Sequence, residues 1–519
     1  MANFLHSNSQ YQKISHAPPP PAFNQIHDAP PSYDSHRFQS SGCRDAHWAF
    51  LFLGHLLTVI GVGSFYFYRY RAIIVDEIET SSSSVIISYP LLLLLASAIM
   101  LSLIISLLYF MLMRFYPSQL IKFTQYLSIA MMGFVVISSL LSGNVGSALI
   151  SGLFLALQIW WFSSVKDRIE FSAMLLETAS EALKTFYGTF IIAIIGMIGQ
   201  IIWFTLWLLC AAAIYQEITT GLSHSSYDRS GHYRFNENYV NCILILLLLS
   251  LYWTSMLISY IVHATIAGVM GVWYFLYPQT TPKYPTFESL KRAMTTSLGS
   301  LSLAALILAV IKTLRAIVQI VSNQRAEDQQ RSLMSDIAIG CADCFLSILD
   351  SLISYINLYS ITRIALYGES FYTASDRSLT LLKSRGLDAV INDSLINTAL
   401  TMGALTVGFL TALLTALVAA IWLPSTESLS VIGVSSFAFL IAFALSSTAL
   451  GSIEAAIMAL FICLAEDPNA LYSSKPDVYE RIVSSISARY PQCHLDGVSE
   501  IESGGSSSRH YSSYGSHHR

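Results

Sequence analysis

SLSVIGVSSFAFLIAFALSSTALGSIEAAIMALFICLA, residues 428–465, decides the fold class, because the only charged side chain in this stretch is Glu454. A helix of about 20 apolar residues is long enough to cross the hydrocarbon core of a bilayer. Strands of a membrane barrel would alternate apolar and polar residues, and this stretch does not alternate. It therefore predicts a transmembrane helix that tilts, bends or extends beyond the bilayer.

The rest of the chain shares this apolar character. Hydrophobic residues make up 54% of the 519 residues and charged residues only 12%, whereas soluble domains carry about 25% charged residues. The predicted fold class is therefore all-α, a polytopic membrane protein of about ten transmembrane helices with disordered cytoplasmic N- and C-terminal tails. The ten predicted spanning segments are 47–68, 88–113, 119–141, 144–163, 188–216, 238–277, 293–322, 334–363, 390–422 and 428–465.

The predicted domain organisation follows from composition along the chain. Residues 1–46 are polar and rich in Pro, Ser and His, which predicts a disordered N-tail. The transmembrane domain is predicted over 47–465, and within it the charged, semi-apolar segment 164–187 predicts an amphipathic helix at the membrane surface. Residues 466–519 form the predicted C-tail, with one short amphipathic helix near 476–490. An inside N-terminus places 20 of the 28 Lys and Arg residues in the cytoplasm, so both termini are predicted to be cytoplasmic.

Several function classes receive no support from the sequence. The net charge of −4 does not favour nucleic-acid binding, and seven scattered cysteines give no disulfide framework. The chain contains no Walker A motif, so ATP is not predicted to drive it directly. We therefore predict no enzymatic activity, no cofactor and no metal site.

Aromatic residues inside the predicted helices are candidate ligands for a cation. Trp253 and Tyr260 lie seven residues apart and share one face of the sixth segment, while Trp203 and Trp207 share one face of the fifth. A quaternary ammonium ion has no N–H to donate, and aromatic faces bind it instead. The alternative is that these rings belong to the Trp and Tyr belts found at membrane interfaces.

Ionisable residues at membrane depth form a second group of candidates. Asp336, Asp343 and Asp350 recur at seven-residue steps on the eighth segment, and Lys312 and Arg315 lie late in the seventh. These five residues either pair between neighbouring helices or line a path for cations.

Glu454 is the most isolated carboxylate of the chain. It lies in GSIEAAIMAL, among small residues that allow close contact between helices. The alternatives for Glu454 are substrate binding, proton coupling and a purely structural role.

The N-tail contains a short motif of its own. Pro30, Pro31, Ser32 and Tyr33 form a PPxY tetrapeptide, the type of ligand that WW domains bind as a polyproline helix. A WW-domain ubiquitin ligase is therefore a predicted partner. The alternative is that the tetrapeptide arises by chance in a Pro-rich tail.

Four blocks of sequence resemble the choline transporter-like family, solute carrier family 44. They are RIEFSAMLLETA at 168–179, the stretch from Tyr252 to Arg315, the stretch from Asn357 to Ser394, and CLAEDPNALYSSKPDVYERI at 463–482. The chain looks most like the fungal pH-nine-sensitive group, because residues 69–87 lack the Cys-rich outer loop of animal members.

This resemblance implies ten spanning helices, cytoplasmic termini and transport of choline or a related amine. The implied location is the plasma membrane, with an endosomal or vacuolar membrane as the alternative. The expected partners are the lipid bilayer and a small amine. The competing function is a non-transporting membrane protein of the same family, such as a lipid-handling or stress-related scaffold.

Overall fold

The computed structural model describes residues 42–79, 89–224, 237–327, 333–386, 396–422 and 428–489. These residues form helices and no strand, which confirms the predicted all-α fold. The helices are α1 (Ala46–Glu79), α2 (Tyr89–Phe115), α3 (Pro117–Leu141), α4 (Val145–Thr185), α5 (Gly188–His224), α6 (Glu237–Phe275), α7 (Pro285–Met294), α8 (Leu298–Glu327), α9 (Leu333–Tyr367), α10 (Phe371–Arg385), α11 (Ile396–Trp422), α12 (Ser428–Glu466), α13 (Pro468–Ser474) and α14 (Pro476–Arg489).

Most of these helices have the length and composition of membrane spans. Within the described ranges, nine helices qualify, namely α1, α2, α3, α5, α6, α8, α9, α11 and α12. The remaining predicted segment corresponds to a shorter apolar stretch of α4, Val145–Trp160. Both α6 and α12 contain 39 residues, about twice the length needed to cross the hydrocarbon core.

The segment 164–187, predicted to be an amphipathic helix at the membrane surface, forms the C-terminal part of α4 up to Thr185. Helix α4 continues without a break to Thr185. Leu175, Leu176 and Ala179 are completely buried, and α4 packs against α3, α5 and α12. The apolar face of this amphipathic segment therefore packs against other helices of the protein.

Helix α12 is the central element of the bundle. It packs against α2, α5, α6, α9 and α11. Small and hydroxyl-bearing residues allow the close approach of α2, where the Ser106 hydroxyl donates to the Ala442 carbonyl at 3.3 Å and accepts from the Ser446 hydroxyl at 3.0 Å. Such packing by small residues and interhelical hydrogen bonds is typical of membrane helices.

One end of the bundle, which we call the closed end, is tied together by the segment before α1. The Asp45 carboxylate accepts a hydrogen bond from the Ser300 hydroxyl at 2.7 Å and another from the Phe371 backbone N–H at 3.1 Å. Gly299 lies directly against this segment, and a Cβ at residue 299 would clash with the Asp45 carbonyl group. The starts of α1, α8 and α10 are therefore joined.

The C-terminal segment seals the same end. The Lys475 ammonium donates to the carbonyl oxygens of Trp273 and Tyr277 at 2.8 and 3.0 Å. Burial lowers the pKa of Lys475 to about 8, because the charged form loses contact with water. The predicted C-tail thus begins with the packed helices α13 and α14, whose Ile482 and Ile486 are buried. Residues 490–519 and the predicted N-tail up to residue 41 lie outside the described residues.

The opposite end, which we call the open end, is packed less tightly. Helix α6 is buried continuously over residues 262–275 and α12 over 455–465, both next to the closed end. By contrast, every residue of α9 from 337 to 356 is partly or fully exposed. The described side chains are therefore most deeply buried next to the closed end.

Candidate functional site

Glu454 lies at the deepest accessible point of α12. Between residues 448 and 465, the side chains of α12 are buried except at Gly451 and Glu454. Ser447 is also exposed, and residues 447, 451 and 454 share one face of the helix. No hydrogen bond or ion pair from the part of the chain that the structure describes reaches the Glu454 carboxylate. A carboxylate at this depth without a counter-ion is costly, which is typical of a functional group.

Two tyrosines lie near this carboxylate. Tyr260 of α6 and Tyr359 of α9 are both within electrostatic range of Glu454. The Tyr359 ring packs edge-on against Tyr355 with 5.0 Å between ring centroids. The Tyr260 hydroxyl accepts a hydrogen bond from the Asn357 amide at 3.1 Å. Helices α6, α9 and α12 thus each contribute to one polar cluster.

Two polar atoms of this cluster have no hydrogen-bond partner among the described residues. They are the Tyr359 hydroxyl and the Asn357 amide oxygen, and both are buried. A buried polar atom without a partner costs about 1–3 kcal/mol. The cluster therefore contains a carboxylate, aromatic rings and spare hydrogen-bonding capacity, a combination suited to a small polar cation.

A buried polar contact lies between this cluster and the closed end. His263 lies one turn beyond Tyr260 on α6, and its Nε2 atom is 2.9 Å from the Thr362 hydroxyl. His263 is 6% exposed, and α6 is buried from residue 262 onward. The part of α6 between the cluster and the closed end is therefore closely packed.

The three predicted tryptophans pack between helices near this cluster. Trp253 stacks on His55 of α1 with 5.0 Å between centroids, and its indole N–H donates to the Ser302 carbonyl at 3.1 Å. Trp203 and Trp207 of α5 donate to backbone carbonyls of α6 at 3.3 and 2.9 Å. The structure thus places Tyr260 within electrostatic range of Glu454, and it places the tryptophans where α6 packs against α1, α5 and α8.

The other predicted ionisable residues form a separate, compensated cluster, which we call the ion-pair cluster. Lys312 lies 3.2 Å from Asp350, and Arg315 lies 3.3 Å from Asp343 and 3.5 Å from Asp350. Two cations from α8 thus balance two carboxylates from α9. Asp336 lies in α9 as well, but its side chain is outside the described set.

Sequence reasoning missed Asn357, Tyr355 and Tyr359. Each lies in an apolar stretch of α9, and Asn357 begins the family-like block NLYSITRIALYGESF. An amide inside a predicted span is a usable signal, because polar groups at membrane depth require a partner or a function. Among the described residues, no three His, Cys, Asp or Glu side chains are placed to hold a metal ion.

Comparison with known proteins identifies the family. Residues 149–469 match the sequence profile of the family described as plasma-membrane choline transporter. This range includes α5 to α12 and so contains both the cluster around Glu454 and the ion-pair cluster.

Fungal relatives extend the match over most of the chain. A protein named PNS1 from Yarrowia lipolytica is 29% identical over 73% of this chain and 67% of its own length. The PNS1 protein of Mycosarcoma maydis is 30% identical over 75% of this chain and 72% of its own length. The pns1 protein of Aspergillus fumigatus is 30% identical over 90% of this chain and 87% of its own length. The chain therefore belongs to the choline transporter-like family, a family of multi-pass membrane transporters.

Proposed function

We propose that this protein moves choline or a related ammonium ion across the plasma membrane and that Glu454 is the counter-ion of the substrate. The proposal is supported by the partly exposed carboxylate of Glu454, which has no ion-pair partner among the described residues and lies within electrostatic range of Tyr260 and Tyr359. A scaffold protein has no need for such a charge, whereas a cation transporter does.

The chemistry of the site fits a quaternary ammonium head. Each aromatic face contributes about 0.5–2 kcal/mol to binding such a cation, with the larger values in desolvated sites. Tyr260, Tyr355 and Tyr359 supply rings, and Glu454 neutralises the charge. The free Tyr359 hydroxyl supplies a polar partner for the remainder of a small substrate.

The route to this site starts at the open end. Trp253 lies two helical turns farther toward that end than Tyr260, and we include Trp203, Trp207 and Trp253 in the proposed aromatic pathway. Release on the other side requires separation of the closed end, where Asp45 and Lys475 hold the helices together. Large movements of helices around a central site are the usual basis of alternating access.

Uptake of labelled choline tests the proposal directly. Cells that express the full chain should accumulate choline, and Glu454→Gln should reduce uptake at least tenfold at equal surface expression. The matched control is Glu177→Gln, which alters an exposed carboxylate of α4 and should leave uptake unchanged. Equal uptake by wild type and Glu454→Gln would exclude Glu454 as the counter-ion.

We also propose that Pro30, Pro31 and Tyr33 bind a WW-domain ubiquitin ligase and so limit residence at the plasma membrane. Tyr33 supplies the ring that fills the apolar groove of such a domain. Tyr33→Ala should lengthen the surface lifetime without changing uptake per molecule, as measured by surface biotinylation over time. Unchanged turnover would show that the motif is not used.

A further inference from the structure

The closed end binds an ammonium group that belongs to the protein itself. The Lys475 ammonium donates hydrogen bonds to the backbone carbonyl oxygens of Trp273 and Tyr277 at 2.8 and 3.0 Å. The same ammonium lies 4.5 Å from the centroid of the Trp273 ring and 5.7 Å from the centroid of the Tyr277 ring. We call these two rings, together with their two carbonyl oxygens, the ammonium cradle.

The ammonium cradle stabilises a cation without a carboxylate. In the part of the chain that the structure describes, Lys475 forms no ion pair. The carbonyl oxygens lie at the C-terminal end of α6, which carries the negative pole of the helix dipole, and the rings present their negative faces. These groups attract an ammonium group by its charge and not by contacts specific for lysine. They therefore suit a free ammonium ion as well.

The ammonium cradle lies on the same helix as Tyr260, at the proposed substrate site. Trp273 follows Tyr260 on α6 and lies about 20 Å farther toward the closed end, at 1.5 Å per residue. Between these two levels α6 is closely packed over residues 262–275. Release of a cation in this direction therefore requires movement of the closed end, and the cation then passes the level of the cradle.

Occupation of the cradle is coupled to the position of the C-terminal segment. Lys475 directly follows α13, and the Tyr274 hydroxyl donates to the Asp467 carbonyl at 2.9 Å just before that helix. These two contacts attach α13 to the end of α6, and Lys475 supplies the charged one. Departure of Lys475 therefore empties the cradle and weakens the attachment of α13 at the same time.

We propose that the ammonium cradle is a second binding site for small ammonium ions, filled by Lys475 in this conformation and by a transported ammonium ion once Lys475 withdraws. The use of the cradle by a transported ion rests on the proposed function, whereas its affinity for free ammonium ions does not. Lys475 thus acts as an internal competitor, which keeps the C-terminal segment on α6 until a free cation replaces it.

Chemical rescue tests whether the cradle binds free ammonium ions. Lys475→Ala removes the tethered ammonium and leaves room for propylammonium, which has the same four heavy atoms that the side chain loses. The purified full-length variant should unfold at a lower temperature than its parent, and saturating propylammonium should restore at least half of this shift. Both proteins carry Glu454→Gln, so that binding at the proposed substrate site does not contribute.

Two controls make the rescue specific. 1-Propanol has the same alkyl chain without the charge and should not restore the unfolding temperature of Lys475→Ala. Lys383→Ala removes an exposed lysine of α10 and should neither lose stability nor respond to propylammonium.

Choline efflux tests whether a transported ion uses the cradle. Lys475→Met keeps an apolar side chain of similar length and removes the charge, so this variant also decides the question if Lys475→Ala does not fold. Efflux from choline-loaded cells should reach half of its maximal rate at a several-fold lower internal concentration than in the wild type, because choline no longer competes with Lys475. Lower stability alone would reduce the maximal rate and leave this concentration unchanged. Lys383→Met should match the wild type.

The outcomes of the two experiments are distinct. If propylammonium does not restore a folded Lys475→Ala, or if Lys475→Met and the wild type share the same half-saturating concentration, the inference is wrong while choline uptake stands. If the wild type moves no choline, the proposed function fails, and rescue by propylammonium then decides by itself whether the cradle binds ammonium ions.

Discussion

Two groups of charged residues lie inside the helix bundle, and they are built in opposite ways. In the ion-pair cluster, Lys312 and Arg315 face Asp343 and Asp350 at 3.2–3.5 Å. At the second site, Glu454 lies within electrostatic range of Tyr260 and Tyr359 and, among the described residues, has no cation near enough to pair. The two sites share Tyr260, which is within electrostatic range of both Asp350 and Glu454.

This difference indicates different roles for the two groups of charges. Charges that balance one another inside a bundle need no ligand, and removing one member leaves an uncompensated charge. A lone carboxylate has no partner of opposite charge within the protein. Its charge is balanced by a proton or by a cation from outside. The ion-pair cluster therefore fixes α8 against α9, and Glu454 is the carboxylate that we propose for the substrate.

The largest expected effect comes from breaking the compensated cluster. Asp350 contacts both cations, so Asp350→Asn leaves Lys312 and Arg315 with a single carboxylate. We expect a loss of about 3 kcal/mol in the free energy of unfolding, the lower end of the range for breaking a buried pair, because these side chains are only partly buried. Thermal unfolding of the detergent-solubilised protein measures this loss.

Two further variants make this test specific. Asp376→Asn alters an exposed carboxylate of α10 and should leave stability unchanged. The double variant Lys312→Met and Asp350→Leu restores charge balance, because Arg315 and Asp343 still pair, and should regain most of the lost stability. A double variant as unstable as Asp350→Asn alone would show that specific contacts, rather than charge balance, hold the cluster.

The next effect comes from supplying Glu454 with an internal cation. Gly451→Lys places an ammonium three residues before Glu454, a spacing at which helical side chains meet, in space that is open beyond residue 451. This change makes the lone carboxylate resemble the ion-pair cluster. Uptake of choline should fall at least tenfold, because the substrate must displace a tethered cation.

A neutral side chain of similar length provides the control for this variant. Gly451→Met occupies the same space without charge, so the difference between Lys and Met reports the electrostatic part alone. The Lys variant should remain folded, and combining it with Glu454→Gln should destabilise the protein, because the lysine then lacks a partner. Equal uptake by the Lys and Met variants would contradict the role of Glu454 as counter-ion.

The sequence predicts which segments form helices, but it does not predict which helices pack against each other. Long apolar runs such as 428–465 specify a span through local composition, so the all-α polytopic fold is predictable from the chain alone. The contact of Tyr260 with Asn357 joins residues 97 positions apart and depends on how α6 and α9 pack. The burial of Leu175 and Leu176 is not predictable from the sequence either, because an amphipathic helix has the same residue pattern whether its apolar face contacts lipid or protein.

The smallest predicted effect concerns the free hydroxyl beside Glu454. Tyr359 is completely buried and its hydroxyl has no described partner, so Tyr359→Phe removes an unsatisfied polar atom while preserving the ring. We expect the free energy of unfolding to rise by about 1 kcal/mol and choline uptake to fall severalfold, since the substrate loses a polar contact. Tyr355→Phe, on the half-buried neighbouring ring, should show no such gain in stability.

Opposite changes in stability and uptake are the feature that distinguishes this prediction from a packing effect. A residue that only fills space would lose stability and uptake together, or change neither. The ion-pair cluster offers the contrast, because Asp350→Asn should lower uptake only as far as it lowers the amount of folded protein. If Tyr359→Phe is less stable than the wild type, its hydroxyl has a partner in the protein, and Glu454 then stands alone as the polar group reserved for the substrate.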